Sequence, residues 1–139
     1  MKTYDPKKCM VIFGVRQITG FAEDSMITVT PHGEGAQTYV GCDSEVARSI
    51  DPDATYDVKM SLAQTSSCNE YFSAIYNRDR KEGDGVMPLL IKDLAGTTLF
   101  AATESWIKNM PEWSRGKTIG ANEWNFSTGK VDNPIVGGN

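Results

Sequence analysis

The cleanest pattern along the chain is an alternation. Tyr56, Val58, Met60 and Leu62 take every second position, and Asp57, Lys59 and Ser61 fall between them. A period of two predicts a strand over residues 56–64 with one buried face and one wet face. A different period follows. Cys68, Tyr71, Phe72, Ile75 and Tyr76 fall at i, i+3, i+4, i+7 and i+8, which predicts one apolar helical stripe over residues 67–82. Ser67 and Glu70 have capping-box spacing, Arg78, Arg80 and Lys81 suit the negative end of the helix dipole, and Gly83 can terminate the helix. A helix with a single apolar stripe must lie on something, and the surrounding strands supply a sheet.

Those strands read from shorter signals. Residues 9–13 are apolar and bounded by Gly14, and residues 15–18 follow a tight turn, so a hairpin is expected there. A second hairpin is expected to join residues 26–30 to residues 37–40, with Pro31, Gly33 and Gly35 supplying the turn. Residues 41–54 lack periodicity and are expected to form a long polar loop, a kind of segment that often serves function or a partner. Residues 87–92 and 97–106 predict another hairpin closed around residues 93–96, and residues 122–127 a last strand with Trp124 and Phe126 inward. The expected organisation is one mainly β domain over residues 1–127 and a flexible, or partner-ordered, tail over residues 128–139.

Bulk properties narrow the function. The chain has 139 residues, 40% hydrophobic and 23% charged, the size and balance of one globular domain. No apolar run approaches the length of a membrane helix, and the polar start does not read as a secretory signal, so a cytoplasm-like setting and no membrane partner are expected. The net charge of −4 comes without a basic stripe, which argues against a protein that grips nucleic acid. The three cysteines, Cys9, Cys42 and Cys68, share no metal or redox spacing and are expected to be buried thiols.

Candidate chemistry fails on inspection. His32 sits in a Pro-His-Gly turn with no nucleophile or orienting acid in view, and is expected to be a solvated turn residue. Gly116-Lys117-Thr118 lacks the leading glycine of a phosphate loop, since Pro111 stands there. Ser114 and Lys117 match an acyl-enzyme spacing without its partner motifs. Asp51, Asp53 and Asp57 start like a calcium loop, but Tyr56 and Leu62 occupy the positions that require glycine and glutamate, so a capped turn into a strand is expected. Trp106, Trp113 and Trp124 are expected to pack in the core or an interface. No enzyme, cofactor or metal is expected.

Four segments read together are more specific: KKCMVIFGVRQITGFAEDSMITV, VGCDSEVARS, LAQTSSCNEYFSAI and PLLIKDLAGTTLFAATESWI. In that order they resemble the tail tube proteins of contractile-tailed phages and prophages, over roughly residues 4–126. The resemblance implies a mainly β, sandwich- or barrel-like tail-tube fold with one flanking α-helix. It further implies hexameric rings stacked into a tube inside a sheath, assembled in the host cytoplasm as part of the virion tail. Partners would be other copies, the tail sheath protein, and the baseplate and tail terminator proteins, with DNA passing through unbound. On that reading the 41–54 segment reaches a neighbouring subunit, with Asp43, Glu45 and Arg48 in inter-subunit ion pairs. Asp57 would face the lumen, where acids repel phosphates. Two alternatives remain open: a tube of a tailocin or secretion-type injection machine, and a monomeric small-ligand-binding β-barrel.

Overall fold

The computed structural model describes residues 1–23 and 26–138. Nine strands and one α-helix follow a single 3₁₀ turn among these residues. Strands β1 (Cys9–Phe13), β2 (Arg16–Gln17), β3 (Ile27–Pro31), β6 (Tyr56–Ala63), β7 (Met87–Asp93), β8 (Leu99–Asn109) and β9 (Ala121–Thr128) form one sheet in the order β2-β1-β7-β8-β9-β6-β3. Every pairing in it is antiparallel. Strands β4 (Ala36–Val40) and β5 (Val46–Ile50) pair only with each other.

The sheet is curled. In a flat sheet β1 and β9, three places apart, would stand about 14 Å from each other, yet the rings of Phe13 and Phe126 are 5.1 Å apart. Helix α1 (Cys68–Glu82) lies in the concavity so formed. Phe72 on the helix meets Phe13, Trp124 and Phe126 at ring-centroid distances of 5.8, 5.4 and 5.1 Å, each close to edge-on. Val58, Met60 and Leu62 point into the same core, fully buried, as their alternation predicts. At one end residues 18–22 bridge the gap between β2 and β6: the Ile18 amide donates to the Val11 carbonyl, and the Ala22 amide to the Ser61 carbonyl.

The helix keeps its stripe but not its expected cap. Ser67 has helical backbone angles and makes no capping bond. Ser66 does that work instead: its Oγ accepts from the Cys68 amide at 3.3 Å and donates to the Thr19 carbonyl at 2.7 Å. The Ser67 hydroxyl meets Arg16 at 2.8 Å, so a contact with β2 has drawn it away from the helix start. Gly83 ends the helix with a left-handed φ of 70°, and its amide returns to the Asp79 carbonyl. Gly14 has φ 67° in the β1–β2 turn, and a Cβ there would strike Met87 and Tyr71, so the tight turn requires glycine.

Two expected pairings are corrected. β3 pairs with β6, in register from Ile27 opposite Met60 to Pro31 opposite Tyr56, and not with residues 37–40. The long polar loop is also half strand, because residues 46–50 turn back on residues 36–40 as a separate hairpin. The β1–β2 and β7–β8 hairpins and the last strand fall where the pattern places them. After β9 the chain returns to the sheet. Val131 is buried with its amide on the Ala54 carbonyl, and Ile135 bridges to Leu99 through a pair of backbone bonds. Asn139 lies outside the described residues.

Candidate functional site

The β4–β5 hairpin is the least satisfied part of the molecule. All ten residues of its strands are exposed. The cross-strand pairs Val40–Val46 and Ala36–Ile50 share one face with Thr38 and Arg48, and Tyr39 stands on the other face. Tyr39, Val40, Val46 and Ile50 remain 61–71% exposed. Uncovered β-branched and aromatic side chains on both sides of a two-stranded ribbon stabilise nothing within the subunit.

The ribbon is nonetheless shaped. Its tip closes through the Gly41 amide on the Glu45 carbonyl at 2.8 Å, and the Asp43 carboxylate accepts from the Glu45 amide at 3.1 Å. Ser44 takes a left-handed φ of 69° there. At the base, Asp51 accepts from the Asp53 amide and Asp53 from the Thr55 amide, a pair of capped turns leading into β6. That is the reading expected for these acids in place of a calcium loop. The Asp53 carboxyl is held below its ordinary value by hydrogen bonds from the Thr55 hydroxyl and amide.

His32 is exposed but engaged, which corrects its reading as a merely solvated turn residue. Its Nδ1 lies 2.7 Å from the Thr55 hydroxyl and its Nε2 lies 2.7 Å from the Asp57 carboxylate. Asp57 also accepts from the Ser127 hydroxyl at 3.1 Å, with Lys108 at 3.9 Å. Partial burial pushes the Asp57 carboxyl up, but the hydrogen bonds from His32 and Ser127 and the charges of His32 and Lys108 outweigh it, leaving the carboxyl below its ordinary value. These contacts latch the approach to the hairpin onto β6 and β9.

Asp57 stands on the outer, wet face of the sheet. Registers on β3, β6 and β9 put Thr28, Lys59 and Asn125 in one row there and Thr30, Asp57 and Ser127 in the next. Lys59 pairs with Glu123 at 3.1 Å on the same face. On β6 and β9 this face is therefore polar, with Asp57 and Glu123 each set beside a base. Shallow clefts along it are lined by such groups, and no cluster of metal-ligating side chains occurs among the described residues.

The β8–β9 connection, residues 110–120, carries a second set of exposed apolar side chains. Trp113 is 65% exposed and Ile119 68%. The Arg115 guanidinium lies 5.2 Å over the Trp113 ring. Trp124 alone of the three tryptophans is fully buried, its indole N–H donating to Asn69 at 3.0 Å, while Trp106 is half-buried.

Of the residues expected to act, Asp43, Glu45 and Arg48 come together on the hairpin, all exposed, and Asp57 lies apart on the sheet face. The buried-thiol reading holds for Cys68, which accepts from the Thr19 amide, but not for Cys9, which is partly exposed, or Cys42, which is exposed beside the hairpin tip. Sequence reasoning missed the apolar hairpin residues and the His32–Asp57 pair. The short β-branched runs flanking residues 41–45 carried the first signal; the second existed only in space.

In class, this is a mainly β protein: a curled sheet around one helix, with an uncovered hairpin and a polar outer face. No family profile matches the chain. It is similar to Structural protein ORF10 of Pseudomonas phage KPP10, 29% identical over 133 residues, covering 90% of this chain and 77% of that protein. The fold is that of two solved components of contractile injection systems. The tube-terminating cap of the anti-feeding prophage aligns with a TM-score of 0.62 at 8% identity, over 97% of this chain and 93% of that one. The sheath/tube terminator of an extracellular contractile injection system in its extended state aligns at 0.59 and 11%, over 95% and 96%. The phage relative is a structural protein, in line with the non-enzymatic reading.

Proposed function

We propose that the chain is a tube subunit of a contractile phage tail, closing with five other copies into a ring that stacks into the conduit for DNA ejection. The observation that carries this reading is the hairpin. Ten exposed residues with an apolar face form a structure that one copy cannot stabilise, and a neighbour's surface completes it. Sequence similarity to a phage structural protein supports it. The charge-compensated outer face of β3, β6 and β9 suits a wall that DNA slides past, and on this reading Asp57 faces the lumen. The sheath, baseplate and terminator proteins are the remaining partners.

A second reading is favoured by the fold comparisons, since both solved structures named above are terminators. In that case the ring caps a tube and does not propagate it. Negative-stain microscopy of the purified protein over a concentration series separates the two. Long tubes with a regular axial repeat support the shaft subunit. Single rings that attach to the ends of preformed tubes support the terminator. Monodisperse monomers at every concentration, with and without baseplate extract, overturn both.

A further inference from the structure

Two exposed apolar patches among the described residues carry charges of opposite sign. The hairpin tip carries Asp43 and Glu45 beside the exposed apolar pair Val40 and Val46. The β8–β9 loop carries Arg115 and Lys117 beside the exposed Trp113 and Ile119. Neither Arg115 nor Lys117 forms an ion pair among the described residues, and neither does either tip acid. Each patch thus presents an apolar centre with a charged rim, the anatomy of a protein interface. The counter-charges are not uniform, since Arg48 lies farther down the hairpin and Glu112 stands within the loop beside Trp113; the facing groups proposed to meet are the tip acids and the later loop bases, Arg115 and Lys117.

We propose that the hairpin tip of one copy docks on the β8–β9 loop of the next, with Asp43 and Glu45 against Arg115 and Lys117 and the two apolar patches pressed together. The occupant is a second copy of this chain. Charge complementarity selects it, because a tip repels a tip and a loop repels a loop, whereas tip on loop attracts. Two different patches meeting head to tail generate a ring or a helix, not a closed pair. The proposal rests on the tube reading and deepens it by naming which surfaces meet.

The chain carries its own probe. Cys42 is exposed next to Asp43 at the tip. In the loop, a Cβ added at Gly116 meets nothing within 4 Å, so Gly116→Cys places a thiol in open space without disturbing the fold. With Cys9 changed to serine to remove the other accessible thiol, mild oxidation of Gly116→Cys is expected to give a reducible ladder of dimers, trimers and higher species. Cys42→Ser in the same background is expected to abolish it. Charge exchange tests the rim: Asp43→Lys with Glu45→Lys, or Arg115→Glu with Lys117→Glu, lowers the assembled fraction by about tenfold, and all four together restore most of it.

Tubes without a ladder, or a disulfide confined to the monomer, overturn this pairing and leave the tube reading standing. Monomers with neither tubes nor ladder overturn both. A ladder whose yield is insensitive to the charge exchanges, with tubes intact, also overturns the pairing, because the thiols then meet only by collision.

Discussion

The curled sheet and the β4–β5 hairpin are built from the same residue types to opposite ends. Val58, Met60 and Leu62 on β6 are buried beneath a helix, while Val40, Val46 and Ile50 stand in solvent. Both regions are antiparallel and carry aliphatic side chains, so hydrophobicity alone does not distinguish them. What differs is a second layer. The sheet has α1 over its concave face, and the hairpin has nothing over either face among the described residues. The sheet thus carries its own second layer, and on the proposed reading the hairpin receives one from a neighbour.

The largest effect that tests this division is at Phe72, whose ring touches Phe13, Trp124 and Phe126. Phe72→Ala is expected to cost about 3–5 kcal/mol in urea unfolding of the monomer. Val46→Ser with Ile50→Ser in the hairpin is expected to change monomer stability by no more than about 0.5 kcal/mol and to abolish assembly. If the hairpin variant unfolds as readily as Phe72→Ala, the two regions form one cooperative unit and the division is wrong.

A smaller effect sharpens the boundary between helix and sheet. Ser66→Ala removes both the cap on Cys68 and the tie to Thr19, and is expected to cost about 1 kcal/mol. Ser67→Ala removes only an exposed bond to Arg16 and is expected to cost a few tenths of a kcal/mol. Thermal melts of the two variants side by side check the assignment; the reverse order would restore the capping box.

Much of the sheet was legible because its strands have two unlike faces. Alternation from Tyr56 to Leu62 records the difference between core and solvent, and Trp124 and Phe126 record it again on β9. Half of the hairpin is hidden for the same reason: with solvent on both faces, nothing in residues 46–50 forces a period and they read as part of a loop, while residues 37–40 read as a strand and receive the wrong partner. β3 was recognised as a strand but given the wrong partner, because the nearer candidate satisfied the turn signals and β6 lies more than twenty residues on. Asp43, Glu45 and Arg48 stand out in the sequence as charges in a long segment, yet the apolar residues around them, Tyr39, Val40, Val46 and Ile50, carry the hairpin's exposed surface. His32 has no partner visible in the sequence; the fold alone supplies Thr55 and Asp57, at 2.7 Å each.

That latch gives the smallest prediction and tests how firmly the hairpin's base is tied to the sheet. The Asp57 carboxyl is held below its ordinary value, so its contribution is fully present above the unfolded value of about 4 and is lost as pH falls through the lower folded value. Asp57 is 38% exposed and His32 37%, so water screens the pair and the contribution stays at about 1 kcal/mol or less. Melts of the native chain and of Asp57→Asn are expected to differ slightly at pH 6 and to converge as pH falls through the lowered folded value, where the native carboxyl is itself protonated. Since His32 joins the hairpin approach to β6, faster proteolysis between residues 31 and 55 in Asp57→Asn at pH 6 is the local counterpart. A variant cleaved no faster there, with its small melting difference intact, would mean that Asp57 serves the sheet and leaves the hairpin untied.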